Sequence, residues 1–204
     1  MKLLKNSFFH KHRTHKSPKS PKAPIMKFDP SIVQTTFKSP LGAITLAATN
    51  QGLAGLWFEG QRHLPAELTE EPQGLAASVW PADPGHPVLK EISRQLTDYF
   101  AGRRTRFDVP LDLAGGTAFQ QSVWQALLAI APGQTASYGD ISSRIGNPAA
   151  VRAVGAAVGK NPISIIVPCH RVIGTNGSLT GYAGGLDRKT ALLTLEGALP
   201  ESLL

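Results

Sequence analysis

The sequence predicts an α+β protein in two parts: a small antiparallel sheet with one covering helix, then a mainly helical domain that carries a helix-turn-helix. Three observations predict it. Three short runs of alternating apolar and polar residues, Val33 to Lys38, Ala43 to Thr49 and Leu53 to Phe58, are separated by Ser39-Pro40-Leu41-Gly42 and Asn50-Gln51-Gly52, which read as hairpin turns. One helical pattern follows from Val88 to Phe100, with Val88, Ile92, Leu96 and Phe100 recurring at every fourth residue. Beyond residue 116 the alternation gives way to a series of capped helices.

The first segment, residues 1–27, is a basic tail with eight Lys/Arg and no acid. Its Lys, Ser and Pro content and its lack of apolar periodicity predict disorder from Lys2 to Pro24. It reads as a solvated extension or as an arm that holds nucleic acid through charge alone, and Met26 adds a third reading, that translation starts there. The net charge of +7 lies almost wholly in this tail, because the remainder carries thirteen basic against fourteen acidic residues. DNA binding by the folded part must therefore rest on local placement of a few cations. No run approaches the roughly 18 apolar residues of a membrane span, and Leu3-Leu4 with Phe8-Phe9 is too interrupted for a signal-peptide core. The single cysteine, Cys169, excludes an intramolecular disulfide and any zinc site that needs two cysteines. A reducing compartment fits, so a cytoplasmic location is expected, with the nucleoid or, in a eukaryote, the nucleus as the place of action.

Residues 28–102 are expected to form the α+β domain. Alternation of Ile44, Leu46 and Ala48 predicts a sheet with one buried face, covered by the 88–100 helix that stops before Gly102. Residues 103–116 read as a linker, and 117–204 as the second domain. There, Thr117 and Gln120 match a capping box ahead of an apolar stripe of Phe119, Val123 and Leu127, flanked by Trp124, Leu128 and Ile130 and stopped by Pro132-Gly133. Ser137 caps a short helix with Asp140 three residues on, Gly146 closes it, and Asn147-Pro148 opens the next, Pro148 to Val158. Val151, Val154 and Val158 are its expected buried side, which leaves Ala149, Arg152, Ala153 and Ala156 outside. A solvated face normally carries several charges. Small residues around one arginine suit close approach to a DNA groove, or else a helix buried on both sides.

Ile163 to Val167 reads as a buried strand that delivers Pro168-Cys169-His170-Arg171. A free cysteine is commonly an inert core residue, but a neighbouring base or cation raises the thiolate fraction that reactivity needs. In an extended strand successive side chains oppose one another, so a Cys169–His170 contact needs a bend or an intervening water. Glu196 shares a helical face with Leu192 and Leu193, just before Gly197, where both burial and the helix dipole disfavour it. Either it has a cationic or imidazole partner, or its carboxylate reaches water at the edge of the stripe. Gly181-Tyr182-Ala183-Gly184-Gly185 is a loop that can bring backbone N–H groups close to a planar ligand, or simply a turn.

Together these segments resemble one family, the O6-alkylguanine-DNA alkyltransferases, or methylated-DNA–protein-cysteine methyltransferases. The resemblance runs from about Phe28 to Gly197 and is carried, in family order and spacing, by several motifs. They are Ser137-Tyr138-Gly139-Asp140, Gly146-Asn147-Pro148, Arg152-Ala153-Val154-Gly155, Gly159-Lys160-Asn161-Pro162, Ile166-Val167-Pro168-Cys169-His170-Arg171-Val172, Gly181-Tyr182-Ala183-Gly184-Gly185 and Leu192-Leu193-Thr194-Leu195-Glu196. It implies a ribonuclease H-like first domain and a winged-helix/helix-turn-helix second one. It also implies irreversible transfer of a methyl or larger alkyl group from O6-alkylguanine in DNA to Cys169, with O4-alkylthymine left open as a second substrate. Cys169 would attack the alkyl carbon while His170, through water, passes its proton toward Glu196. Asn161 would link the helix-turn-helix to the active-site strand, and Tyr138 would protonate the leaving guanine. Arg152 would fill the gap left by the flipped nucleotide, with Ser137, Ala153 and Tyr138 beside it on the DNA. Tyr182, Ala183, Gly184 and Val172 would line the base pocket, Ala183 standing where some relatives have serine. The resemblance implies no metal and no cofactor. The implied partner is double-stranded DNA with alkylated bases, bound through its minor groove by a monomer with no membrane association. Two other readings stand beside it: a noncatalytic binder of alkylation damage, which a present Cys169 argues against, and a cysteine hydrolase built on Cys169, His170 and Asn161.

Overall fold

A computed structural model describes residues 27–68 and 80–200. The expectations for the tail before Met26 lie outside the described residues.

The three alternating runs form an antiparallel meander, β1 (Val33–Ser39), β2 (Gly42–Thr49) and β3 (Gly52–Phe58), in that spatial order. Register pairs Ile44 with Phe58 and Leu46 with Leu56, so these four side chains line one face and are fully buried. Helix α1 (Pro87–Phe100) covers that face, with Leu89, Ile92, Leu96 and Tyr99 as its buried apolar residues. Val88 and Phe100, expected in the stripe, are only partly buried. A step of four residues drifts by about 40° around a helix, so alternating steps of three and four hold one face where repeated fours do not.

The expectation of one buried face needs correction. Ala47, Ala54 and Trp57 on the other side of the sheet are covered by Ile32 and Trp80, with Phe28 packed edge-on against both tryptophans. Trp57 lies flat over Gly55, where a Cβ would come within 1.8 Å of its ring. Residues 103–116 connect the two halves but do not hang free, because Leu111 bridges Leu53 at one end of the open edge of β3. Ile163 bridges Leu56 at the other end. The edge that would otherwise expose unpaired peptide groups is thereby closed by two segments that lead to and from the helical part.

That part contains α2 (Ala118–Leu128), β4 (Ala136–Ser137), α3 (Tyr138–Arg144), α4 (Val151–Gly159), β5 (Val172–Ile173) and α5 (Leu186–Leu195). Both expected capping boxes are present, Thr117 with Gln120 and Ser137 with Asp140. Helix α2 stops at Leu128, short of Pro132, and leaves Leu128 38% exposed. The helix expected from Pro148 begins as a tight 3-10 turn, Pro148–Ala150, without a side-chain cap from Asn147. Packing against α2 fixes its buried side as Val154, Ala157 and Val158, with Trp124 Nε1 donating to the Ala157 carbonyl at 2.9 Å. Val151 falls outside that stripe and is 39% exposed, against expectation. One apolar cluster runs from Ile44 and Leu56 through Val123, Trp124 and Val154 to Cys169 and Leu192. Sheet and helices therefore share a core. Among the described residues no helix is long and apolar enough to cross a membrane.

Candidate active site

Cys169 does not stand at a strand end. After the bridge at Ile163 the chain turns, with Ile165 at φ 71°, a left-handed conformation that β-branched residues rarely adopt. Two tight backbone bonds follow, Ile166 N to Ser164 O at 2.9 Å and Cys169 N to Val167 O at 2.8 Å. Cys169–Arg171 then forms a 3-10 turn. At three residues per turn, consecutive side chains diverge by about 120°, so this turn sends Cys169, His170 and Arg171 in three directions where a strand would offer two.

Asn161 anchors the turn. Its Nδ2 donates to the Val167 carbonyl at 2.8 Å and to Cys169 Sγ at 3.0 Å, and its Oδ1 accepts from Ile163 N at 3.0 Å. Both side chains are buried, 4% exposed each. Burial pushes the Cys169 thiol up, against the Asn161 hydrogen bond and the positive charge of Lys189. The resting group is therefore a thiol, and a base must take its proton.

His170 is the next residue of the turn. It is fully buried, and its Nε2 lies 2.9 Å from Glu196 Oε1. Arg171 donates from Nε to Oε2 at 2.7 Å and from Nη2 to Oε1 at 2.9 Å, and the Tyr99 hydroxyl donates to Oε1 at 2.8 Å. The Glu196 side chain has no exposed surface, so the reading in which it reaches water falls. Burial would raise its carboxyl, but the hydrogen bonds and charges of His170 and Arg171 outweigh burial and hold it at about 2. A carboxylate can only accept, so Nε2 carries hydrogen and Nδ1 the free lone pair. Burial lowers the His170 imidazolium, more than Glu196 raises it, which keeps the ring neutral and able to accept a proton. Nδ1 makes no hydrogen bond with a described residue.

The other side of Cys169 faces the glycine-rich loop. Tyr182 is 3% exposed, and burial pushes its phenol well up. Gly184 lies so close to the Tyr182 ring that a Cβ would sit at 2.7 Å. The loop is tied to the sheet by two arginines. Arg62 donates to the Tyr182 carbonyl from Nη2 and to the Ala183 carbonyl from its backbone, both at 3.0 Å. Arg188 stacks over Phe58 at 4.7 Å and reaches the carbonyls of Gly184, Leu41 and Glu59 at 3.2, 3.0 and 3.2 Å. Lys189, fully buried, spans from Val172 O to Thr180 O, and burial brings its ammonium down to about 8. Val172, in β5, is fully buried and paired with Ala136. Tyr138, at the start of α3, donates to Gly181 O at 3.2 Å and lies over Gly155 of α4.

Arg152 and Ala153 stand on the outer face of α4 with Val151 and Ala156, next to Ala149 of the preceding 3-10 turn, all exposed. Among the described residues Arg152 has no hydrogen-bond or ion-pair partner. Ser137 is committed to its cap, accepting from Asp140 N at 3.1 Å. The geometry thus gathers Cys169, His170, Asn161 and Glu196 with Tyr138, Tyr182, Ala183, Gly184 and Val172, while Arg152 and Ala153 form a separate outward face. No group of three His, Cys, Asp or Glu side chains that could hold a metal is found among the described residues.

Four residues of this arrangement escaped the sequence reading: Tyr99, Arg62, Lys189 and Arg188. Lys189 had a signal, since Lys189, Leu192, Leu193 and Glu196 fall at i, i+3, i+4 and i+7 on one helical face. Tyr99 had none, because a tyrosine that follows Ile92 and Leu96 at helical spacing reads as one more core residue.

Comparison with known proteins places this geometry in a family. Residues 32–113 match the ribonuclease-like domain of 6-O-methylguanine DNA methyltransferase, and residues 118–198 match its DNA-binding domain. The chain is similar to the methylated-DNA–protein-cysteine methyltransferase of Mycobacterium tuberculosis, 51% identical over 161 residues, or 79% of this chain and 90% of that one. The protein of that name from Methanosarcina acetivorans is 50% identical over 163 residues, covering 79% and 96%. In structure it is similar to Mycobacterium tuberculosis OGT solved in complex with DNA, with a TM-score of 0.69 at 49% identity over 82% of this chain and 95% of that chain. The chain belongs to the 6-O-methylguanine DNA methyltransferase family.

Proposed function

We propose that this chain repairs DNA by moving an alkyl group from O6 of guanine to Cys169, which is consumed in the process. The observation that carries the reading is a buried thiol anchored by Asn161 beside a neutral histidine whose far nitrogen is occupied by an ionised glutamate. His170 Nδ1, through water, takes the thiol proton. Sγ forms a bond to the alkyl carbon as the carbon–O6 bond breaks, and the guanine leaves with the electron pair, protonated by Tyr138. The resulting thioether has no easy leaving group, so each molecule acts once.

The O6 substituent lies inside the duplex, so the nucleotide must swing out, at a cost of a few kcal/mol. Arg152 takes the vacated space, and the small residues Ala149, Ala153 and Ala156 let α4 approach the minor groove closely. Ser137 and Tyr138 flank that contact. Tyr182, Val172 and the backbone N–H groups of Ala183 and Gly184 line the base pocket. Ala183 supplies a backbone donor without the hydroxyl of a serine. The protein acts as a monomer on double-stranded DNA, with residues 28–102 as scaffold, 103–116 as connection and 117–204 as the DNA-binding and catalytic unit.

A cysteine hydrolase would have its asparagine orient the histidine. Here Asn161 bonds the thiol and Glu196 orients His170, which disfavours that reading. The test is stoichiometry. Duplex DNA with O6-methylguanine should transfer one methyl group per chain, adding one methylene of mass to the Cys169 peptide, and Cys169→Ser should transfer none. Repeated turnover, or repair that leaves Cys169 unmodified, would overturn the assignment.

A further inference from the structure

Glu196 is gripped from both halves of the molecule. His170 Nε2, Arg171 Nη2 and the Tyr99 hydroxyl converge on Oε1 at 2.9, 2.9 and 2.8 Å, and Arg171 Nε takes Oε2 at 2.7 Å. Tyr99 alone comes from α1, 97 residues before Glu196 in the chain. Its ring is 1% exposed and packs against Phe100 and Phe107, with centroids 5.3 Å away in each case. The hydroxyl is therefore fixed by the core of the sheet half and not by the active-site segment.

A carboxylate offers about four lone-pair sites. Four hydrogen bonds reach this one, three on Oε1 and one on Oε2, in a place with no exposed surface. Protonation of Glu196 would remove the negative charge that strengthens all four bonds, two of them from a guanidinium, so this set of donors favours the ionised carboxylate. We propose that Tyr99 is a positioning residue for alkyl transfer: its hydroxyl, delivered by the sheet half, keeps Glu196 ionised and aimed at His170, so that the proton of Cys169 stops on His170. The proposal rests on the roles assigned above to Cys169, His170 and Glu196. The relay then has one moving proton and a fixed negative charge behind it. Burial raises the Tyr99 phenol far beyond its ordinary range, with the Glu196 charge adding to the effect, so this hydroxyl remains a donor at any working pH.

The charged and titratable groups facing His170 are Glu196, Arg171 and Lys189, and those facing Cys169 are Lys189, Tyr138 and Tyr182. Among the described residues only Tyr99, His170 and Arg171 bond the Glu196 carboxylate directly. Removing the Tyr99 hydroxyl leaves Oε1 to draw harder on Nε2–H. His170 becomes more basic, and a higher pH is needed to keep it neutral.

The experiment is the single-turnover transfer rate against pH with O6-methylguanine duplex. Tyr99→Phe should move the acid limb to higher pH by about half a unit, which lowers the rate on that limb about threefold, while DNA affinity holds. Fluorotyrosine at position 99, a stronger donor of nearly the same shape, should move the limb the opposite way, and it tests the idea even if Tyr99→Phe folds poorly. Unmoved limbs in both variants, or a rate loss uniform across pH, would overturn the proposal and leave the hydroxyl a structural role. Glu196→Gln separates the two levels: if it leaves transfer and its pH profile unchanged, the assignment of the site has failed, and if it slows transfer while the Tyr99 variants behave as wild type, only this inference has.

Discussion

Asn161 spends its side chain on four atoms of its own turn, and this makes it the residue whose loss should be felt in two separable ways. Asn161→Ala leaves the Ile163 N–H without its buried partner, while the Val167 carbonyl keeps the Cys169 N–H. Such a group costs about 1–3 kcal/mol, so the variant should lose about that much stability and unfold at lower urea. It also removes the hydrogen bond that lowers the Cys169 thiol, so that alkylation by a small haloacetamide should need higher pH in any fraction that stays folded. A variant that loses stability with no change in that profile would make Asn161 a brace and nothing more. At this scale the sequence was most informative where chemistry and position conflicted. Glu196 on an apolar face demanded a partner and has three. Lys189 posed the same question on the same face, and its spacing alone could have raised it. Tyr99 posed none, because the hydroxyl of a stripe tyrosine reveals its use only when a partner from the far end of the chain is brought to it.

Helices and turns differ in how much of their cause is local. The capping boxes at Thr117 and Ser137 were legible because each is closed within four residues. The run from Ile163 to Val167 was not, since β-branched and buried describes a core strand and a core turn equally. What decides it is the left-handed Ile165, held there by the bridge to β3 and by Asn161. Similarly, the phase of α4 was set by α2, which turned Val151 outward beside Arg152. The glycine-rich loop of residues 181–185 depends on the sheet in the same way, through Arg188. Arg188→Ala removes three bonds to carbonyls and the stacking over Phe58. These lie at the half-buried surface, so a loss of about 1–2 kcal/mol in stability is expected, no more than a modest part of the total. The larger effect should be on transfer, which slows because Gly184 and its neighbours are no longer held at one distance from Cys169. A rate equal to wild type at saturating DNA would show that the loop holds its shape unaided.

The whole molecule divides its labour in a way that composition concealed. A net charge of +7 suggests a basic body, yet residues 28–204 carry one more acid than base, and the face proposed to meet DNA is alanine, valine and a single arginine. Close contact there supplies shape, not field. The field is in residues 1–25, which hold seven Lys/Arg. Each phosphate that such a cation neutralises adds about 0.9 to the slope of log affinity against log salt on duplex DNA, so a tail in full contact would contribute about 6. A chain starting at Met26 should therefore bind undamaged duplex more weakly at low salt and with a shallower slope. It should still transfer the methyl group at the full rate once DNA is saturating, because every group of the relay lies between Tyr99 and Glu196 and is held by one shared core. Titrating both chains on the same duplex across salt concentrations separates these quantities. Equal slopes would mean that the tail leaves the phosphates alone, and the affinity would then have to come from the few cations around α4.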